Sequence, residues 1–239
     1  MMTKYILHKA DKRGYANHGW LKANHSFSFA SFYDPEKINF GALRVLNDDE
    51  IAPGMGFATH PHDNMEIITI PLEGAIRHQD SMGNSEVLSV GSIQVMSAGK
   101  GLYHSEHNAN KDKELKLLQI WIIPNKSQVE PKYGDFKLPE TIKNEWTEIV
   151  SPIKSDTQPW IYQDAWLTIG EFDINHVKKY EFKKTGNGLY VFVIEGELTI
   201  EGHTLNRRDA IGIWDTSSVN FVSTVETKVL LLEVPLQFN

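Results

Sequence analysis

Apolar residues in this chain recur in short β-like patterns. They alternate with polar residues or form β-branched runs in segments such as MEIITI, EVLSV, LKLLQIWII, LYVFVI and KVLLLEV. Turn-forming stretches such as AGKG and TGNG separate these runs at spacings of roughly ten residues. Many short strands joined by regular turns predict an all-β sandwich or barrel with few, short helices. The best helical candidate is PETIKNEWTEIV, at residues 139–150.

Prolines concentrate in the middle of the chain. Half of the ten lie in one window, at Pro124, Pro131, Pro139, Pro152 and Pro159. A proline-dense stretch cannot supply central strands, because proline has no backbone N–H to donate. We therefore predict an N-terminal domain at residues 1–130, and a connector followed by a C-terminal domain at residues 131–239. Large apolar residues in and beside this window predict that the connector packs on a domain; they are Trp146, Ile149 and Trp160.

A weak internal repeat also divides the chain into two. ITIPLEGAIRHQD followed by LSVGSIQVMSAG resembles VFVIEGELTIEGH followed by LNRRDAIGIWDTS. Each copy has an apolar strand, a Glu-Gly turn, a second strand, and then a turn that leads into another apolar run. Two copies of one β-motif fit this pattern better than one large barrel does.

Composition restricts the chemistry that the chain can perform. Cysteine is absent, which excludes disulfides, thiolate zinc sites and cysteine nucleophiles, and leaves His, Asp and Glu as metal ligands. The 24 basic and 31 acidic residues give a formal charge of −7, which disfavours a nucleic-acid partner. The N-terminal stretch MMTKYILHKADKRGYANHGW lacks the apolar segment of a secretory signal, and no apolar run is long enough to span a bilayer. We expect a cytoplasmic protein with no membrane partner.

Five of the ten histidines lie close together in the sequence, at His60, His62, His78, His104 and His107. Side chains at positions i and i+2 of a strand share a face, so His60 and His62 project together in THPHDNMEI. His104 and Glu106 do the same in GLYHSEHN. Neighbouring strands lie about 4.8 Å apart, so the two pairs can converge on one ion with bonds of roughly 2.0–2.2 Å. The pattern indicates a metal site with nitrogen and oxygen ligands.

The second copy of the repeat carries no equivalent ligands. In the alignment of the two copies, Gly74 matches Gly196, and Gly91 matches Arg208. The positions of the two ligand pairs are then occupied by Phe182, Lys184, Phe221 and Ser223. We therefore expect a metal in the first half of the chain only.

Several blocks of the sequence resemble the pirin family of the cupin superfamily. GMGFATHPHDNMEI, LEGAIRHQDSMGN and GSIQVMSAGKGLYHSEHN are similar to the two cupin signature blocks, and HSFSFASFYDP, FGALRVLNDD and LLQIWIIP are also pirin-like. The resemblance implies a bicupin, which is two tandem antiparallel β-barrels of the jelly-roll type, with the metal in the N-terminal barrel. It further implies Fe(II) or another divalent metal as the cofactor. The ligands that it implies are His60, His62, His104 and Glu106.

One alternative ligand stays open. Glu66 follows His62 where many cupins have their carboxylate ligand, but on an unbroken strand it would lie about 13 Å along from His62. We favour Glu106, because its spacing from His104 is the simpler geometry and the pirin resemblance implies it.

The other polar and aromatic residues near these blocks are interpreted as structural. His78 and Asp80 are expected to form a polar hairpin arm, and His25 to order the mouth of the barrel. His107 should face away from His104, and Asn108 is a candidate hydrogen-bond donor to a ligand. Core and lid packing is expected of Phe27, Phe29, Phe32 and Tyr33.

Three imidazoles and one carboxylate leave open positions on a six-coordinate ion, where a substrate oxygen or O2 can bind. The pirin resemblance implies a quercetin 2,3-dioxygenase that acts on a flavonol-like substrate, with Glu106 as the base that takes the hydroxyl proton. A second hypothesis is a redox-sensing regulator or adaptor that binds a protein partner, and a third is a purely structural metal. An enzyme needs an apolar cavity that opens on the ion. We expect a monomer, since the resemblance implies that the two barrels bury each other's faces.

Overall fold

The computed structural model describes residues 3–238, and nearly all of the regular structure in this range is antiparallel β-strand. Its one helical element is a single 3₁₀ turn at Ala10–Lys12. The prediction of an all-β protein with few, short helices is confirmed. No helix within residues 3–238 has the length and apolar character needed to cross a membrane.

The first barrel consists of a seven-stranded sheet and a four-stranded sheet. From edge to edge, the seven-stranded sheet contains β12 (Lys132–Lys137), β9 (Ser92–Ser97), β6 (Glu66–Glu73), β11 (Leu115–Ile122), β4 (Leu43–Ile51), β3 (Leu21–His25) and β2 (Gly14–Asn17). The four-stranded sheet contains β5 (Gly56–His62), β10 (Leu102–Asn108), β7 (Ala75–Asp80) and β8 (Ser85–Ser89).

The second barrel repeats this architecture with a six-stranded and a four-stranded sheet. The six-stranded sheet contains β1 (Lys4–His8), β19 (Ala210–Trp214), β16 (Asn187–Glu195), β21 (Thr227–Pro235), β14 (Trp166–Phe172) and β13 (Trp146–Val150). The four-stranded sheet contains β15 (Val177–Glu181), β20 (Ser218–Ser223), β17 (Glu197–Ile200) and β18 (His203–Asn206). Two tandem antiparallel barrels therefore form the molecule, as the repeat in the sequence predicts.

Matching turns relate the two barrels. Gly74 joins β6 to β7 with φ 80°, and Gly196 joins β16 to β17 with φ 87°. Gly91 and Arg208, which the repeat also aligns, precede β9 and β19 and have φ values of 85° and 67°. The left-handed backbone favours glycine, so Arg208 adopts this conformation against its intrinsic preference. The turn geometry confirms the repeat.

The barrels exchange strands across the predicted boundary at residue 130. Strand β1 pairs with β19 of the second barrel, and β12 pairs with β9 of the first. The proline-rich window supplies only β12 and β13, and each lies at the edge of its sheet. Edge positions tolerate neighbouring prolines, because fewer backbone N–H groups are needed there. The division into residues 1–130 and 131–239 stays a prediction.

The helix predicted at residues 139–150 is wrong. The chain turns at Ile142–Glu145, where the Glu145 N–H donates to the Ile142 carbonyl, and then forms β13. Trp146 packs against the rings of Phe172 and Phe221 at centroid distances of 4.7 and 5.0 Å. The apolar residues have the spacing of a helix, but their burial in the second barrel favours a strand. Packing of the connector is confirmed by the buried Ile149 and Trp160.

An apolar layer joins the barrels. It combines Leu46, Ile68 and Ile120 from the seven-stranded sheet with Phe192 and Leu230 from the six-stranded sheet. The interior of the second barrel is also apolar; its buried residues include Leu189, Val191, Leu198, Ile211, Phe221 and Leu231. The interior of the first barrel is different, because polar side chains cross its middle.

Candidate metal centre

A belt of six buried polar residues runs around the inside of the first barrel, and we call these residues the polar belt. Its members lie on six strands: His25, Asn47, Gln119, Thr69, Gln94 and His78. The first five are consecutive partners in the strand register, and the Gln94 amide bonds the ring of His78 at 3.0 Å. Buried polar side chains are costly unless they are hydrogen-bonded, so a complete belt predicts a function in its vicinity.

Three histidines converge beside the polar belt. The ring centroids of His60 and His104 are 4.4 Å apart, those of His62 and His104 are 4.7 Å apart, and those of His60 and His62 are 4.8 Å apart. One nitrogen from each ring lies within 4.8 Å of the other two. His104 is buried, whereas His60 and His62 are half-buried. The group therefore extends from the barrel interior to the surface.

Direct pairing of β5 with β10 brings the histidines together, and a bulge in β5 follows immediately. His60 lies opposite His104 across the β5–β10 ladder, and the register then shifts so that Phe57 lies opposite Glu106. Gly56 makes the close approach of the two strands possible, because a Cβ there would lie 2.1 Å from the Glu106 carbonyl oxygen. The i and i+2 spacing predicted the shared face, but the bulge decides which residues of β5 face which residues of β10.

The electrostatics of the histidines suit a metal ion. Burial is the main reason that the pKa of His104 falls to about 2 and that of His62 to about 4, with neighbouring imidazoles as a further cause. Both ring nitrogens of His104 are buried and have no hydrogen-bond partner among residues 3–238. Leaving two buried polar atoms unpaired costs on the order of 1–3 kcal/mol each. Neutral imidazoles with free lone pairs are the form that binds divalent metals, so the donor set fits such an ion.

Glu106 is buried, as His104 is, whereas His60 and His62 are half-buried. Its carboxylate accepts a hydrogen bond from Gln119 Nε2 at 2.9 Å and lies 3.4 Å from the Thr69 hydroxyl. Burial raises the pKa of Glu106 to about 7, although both contacts oppose the rise. One carboxylate oxygen lies within 4.8 Å of ring nitrogens of His104 and His78. His104 thus belongs to two groups, one with His60 and His62 and one with Glu106 and His78.

His78 lies on an arm of the β7–β8 hairpin, as predicted, but the sequence did not indicate how deeply it is buried. Its side chain is fully buried, stacks on Tyr133 at 4.6 Å, and lies 5.3 Å from the His104 ring. Gln94 bonds its Nδ1, and the Asp80 carboxylate bonds its Nε2 at 3.2 Å. Both nitrogens are therefore engaged, which makes His78 a support for the centre and not a free ligand. The prediction for Asp80 is confirmed, since it accepts N–H bonds that order the turn at Met82 and Asn84.

Glu66 belongs to neither of the two groups of converging side chains that His104 shares. Strand β5 ends at His62, and Glu66 begins β6, where Ser97 donates a hydrogen bond to its carboxylate at 2.7 Å. Burial raises the pKa of Glu66 to about 7. Since Glu66 pairs in register with Ile122 and Ser97 on the side of the sheet that faces the second barrel, its geometry does not favour the alternative ligand.

Predictions were also made for three other polar residues of the first barrel: His107, His25 and Asn108. His107 has the opposite parity to the buried residues of β10, as predicted. His25 is buried, and its ring nitrogen lies 2.9 Å from Asn47 Oδ1, within the polar belt. Asn108 does not contact the ligands; its amide donates to the carbonyls of Ile51 and Lys113, so the predicted role as a ligand partner is wrong.

The predicted aromatic packing is confirmed only in part. Phe27 is in the apolar layer between the barrels, and Phe29 packs edge-on against Trp121 at 5.4 Å. Trp121 in turn packs against the His62 ring at 4.9 Å, so it borders the metal centre. Tyr33 is 74% exposed and contributes neither to the core nor to a lid.

The sequence analysis missed the buried polar partners Gln119, Thr69 and Asp49. A signal was present, because Gln119 and Thr69 interrupt otherwise apolar runs, LLQIWII and IITI. A polar residue in the middle of a buried strand must find an internal partner. Register was needed to identify those partners, since Gln119 and Thr69 are 50 residues apart.

The buried carboxyl of Asp49 should make the stability of the fold depend on pH. Its carboxyl is buried inside the first barrel, and burial first, then the charges of Asp48 and Glu106, raise its pKa to about 8. The folded protein therefore holds a proton that the unfolded chain releases near its ordinary pKa of 3.8. Stability supplied by this group is complete below that value and is lost as pH rises toward 8.

We expect Asp49→Asn to raise the free energy of unfolding of the metal-free protein by about 1–3 kcal/mol at pH 8 and by much less at pH 5. Urea unfolding of chelator-treated protein at both pH values measures this difference. An equal effect at the two pH values would contradict the buried-acid explanation.

Large cavities lie elsewhere in the molecule. A cleft of about 550 Å³ opens between the barrels beside Ile70 and Ile194, and another of about 420 Å³ opens beside Lys132 and Trp160. Neither is lined by the clustered histidines. A guest that reaches the histidines would approach from the solvent side of the half-buried pair, next to Trp121.

Comparisons with known proteins agree with this geometry. Residues 7–122 match the family Pirin, and residues 148–234 match the quercetinase C-terminal cupin domain. The chain is 39% identical over 233 residues to the quercetin 2,3-dioxygenase of Escherichia coli K12, covering 96% of this chain and 98% of that one. The crystal structure of YhhW from Escherichia coli superposes with a TM-score of 0.93 at 38% identity, covering 99% and 100% of the two chains. A nickel(II) complex of the bacterial pirin YhhW gives a TM-score of 0.91 at 38% identity, covering 97% and 99%.

Proposed function

Since this chain belongs to the pirin family of cupin proteins, we propose that it is a metal-dependent dioxygenase that cleaves a flavonol-like substrate. The ion would be held in the first barrel by His60, His62, His104 and Glu106. The single observation that carries the proposal is the convergence of three imidazoles whose ring nitrogens lie within 4.8 Å of one another, with both nitrogens of the buried His104 unpaired among residues 3–238.

The protein side chains have distinct roles in this proposal. The three imidazoles hold the ion, and the half-buried His60 and His62 leave a side on which a substrate can approach. Glu106 is the carboxylate of the set and would take the proton of a substrate hydroxyl; in the metal-free protein, burial raises its pKa to about 7. Bound iron, or another divalent metal, would supply a Lewis-acid centre for the substrate oxygen and access to dioxygen chemistry. Trp121 packs against His62, and Phe29 packs against Trp121, so these two rings would border the approach.

The choice of metal is part of the proposal. The pirin YhhW of Escherichia coli was crystallised with nickel(II). Nitrogen and oxygen ligands of this kind accept several divalent first-row ions, so the ligands by themselves do not select Fe(II). We propose Fe(II) as the working metal and use nickel as a comparison.

The decisive experiment gives quercetin to protein loaded anaerobically with Fe(II), and then admits air. Loss of the flavonol absorbance and release of carbon monoxide are expected, at a rate well above that of free Fe(II). His60→Ala is the matched control, because it removes one ligand at the half-buried edge. Turnover no faster than free iron, in protein shown to contain the metal, would reject the dioxygenase assignment.

A metal-dependent regulator is the second candidate. Its supporting observation is two exposed apolar side chains near the candidate centre: Tyr103, on the outside of β10, is 57% exposed, and Met82, in the turn after β7, is 39% exposed. The Ser81 N–H donates to the Tyr103 carbonyl, and the Tyr103 N–H donates to the Ser81 hydroxyl, so Met82 follows directly on a residue that is bonded to Tyr103. This candidate gains support if the loaded protein fails the quercetin assay.

A further inference from the structure

The two carboxylate oxygens of Glu106 differ in their hydrogen-bond donors. Gln119 Nε2 donates to Glu106 Oε2 at 2.9 Å. The Thr69 hydroxyl lies 3.0 Å from Gln119 Oε1 and 3.4 Å from Glu106 Oε1, but it carries one proton. The shorter contact takes that proton, so Thr69 donates to Gln119, and Oε1 of Glu106 is left without a donor.

The Thr69 hydroxyl also fixes the orientation of the Gln119 amide. With its oxygen bonded to Thr69, the amide must present its NH2 group to Glu106. The reverse orientation would place the amide oxygen against a carboxylate oxygen and leave the hydroxyl proton without its nearest acceptor. Because all three side chains are buried, no solvent competes for these bonds.

We propose that Gln119, oriented by Thr69, is a positioning residue that holds Oε2 of Glu106 and leaves Oε1 as the single carboxylate oxygen available to the metal. This inference rests on the proposed metal site. It assigns a specific task to two residues of the polar belt, one on β11 and one on β6, and predicts a one-oxygen carboxylate ligand. Hydrogen bonds from a second layer of residues typically change metal affinity 10- to 100-fold.

Cobalt(II) is the probe for the test, because its visible absorption reports the number and geometry of its ligands. We compare the full-length wild type with Gln119→Leu, Thr69→Val and Thr69→Ser, measuring affinity by competition with a chelator and recording the absorption spectrum of each complex. Gln119→Leu is expected to bind cobalt(II) about 10- to 100-fold more weakly, with an altered spectrum, since both oxygens of Glu106 become free. Thr69→Val should change the spectrum in the same direction by a smaller amount, and Thr69→Ser should restore it.

Asn47→Leu is the matched control for a purely structural effect. Asn47 is a buried amide of the same polar belt, on the neighbouring strand, and bonds His25 and not Glu106. Its loss should lower stability while the cobalt(II) affinity and spectrum stay within about twofold of wild type. Circular dichroism confirms that each variant is folded.

The outcomes distinguish the inference from the proposed function. A folded Gln119→Leu variant with wild-type affinity and spectrum would overturn the positioning role and leave the metal site intact. An equal effect of Asn47→Leu would overturn it too, because the belt would then act only through stability. Failure of the wild type to bind cobalt(II) would overturn both the site and the inference.

Discussion

Replacing His104 by alanine is expected to lower the affinity for divalent metal by more than about 100-fold, which exceeds the usual effect of losing a supporting hydrogen bond. His104 is common to both groups of converging side chains, and its two nitrogens have no partner in the described part of the chain. Its removal takes away the central donor and leaves no buried partner unsatisfied. Competition with a chelator measures the affinity, and turnover of quercetin should fall with it.

His107→Ala is the matched control for this prediction. His107 lies three residues along the same strand but has the opposite parity, so its side chain points away from the barrel interior. The variant should bind metal as the wild type does. If His104→Ala kept its affinity, or if His107→Ala lost it to the same degree, the assignment of the centre to the interior of the first barrel would be wrong.

Replacing Glu106 by glutamine is expected to reduce quercetin turnover by about 10²- to 10⁴-fold, which is the range typical of a lost general base. Glutamine keeps the shape of the side chain but cannot accept a proton near neutral pH. Burial raises the pKa of Glu106 to about 7 in the metal-free protein, so its carboxylate is held in surroundings that favour taking up a proton. Steady-state kinetics of the loaded variant measure the effect.

The metal content of Glu106→Gln must be determined in the same preparation. A variant that retains the metal and loses turnover supports the base role. A variant that retains both contradicts it, and also contradicts the view that Glu106 is a necessary ligand. If the variant binds metal weakly, turnover is measured at saturating metal, so that the rate per bound ion still tests the base role.

The two barrels contribute differently to the molecule. The first has a polar belt across its interior and a buried acid, Asp49, whose ionisation is unfavourable. The second has an apolar interior, and its buried carboxylate Glu233, on β21, accepts bonds from Tyr180, Asn187 and two backbone N–H groups. The apolar layer between the barrels couples them, so the second can stabilise a first barrel that carries costly polar groups.

The sequence by itself determined the class of the fold and the clustering of the candidate ligands. Period-two alternation, turn residues and an internal repeat are local properties, and each survives folding because strands and tight turns are set by neighbouring residues. The spacing of His60 from His62 belongs to the same category, since adjacent strand positions alternate between faces. The local pattern gave a wrong prediction at residues 139–150. The apolar residues there have helical spacing, but they pack at the edge of a sheet.

Only the tertiary structure decided which side chains surround the candidate metal ligands. The bulge in β5, the burial of His78, and the contact of Gln119 with Thr69 and Glu106 all depend on strand register between segments far apart in the chain. The charge state of Glu106 depends on the same assembly, because desolvation arises from every wall of the barrel at once. Desolvation depends on all the side chains that surround the carboxyl. The order of residues along the chain does not specify which side chains these are.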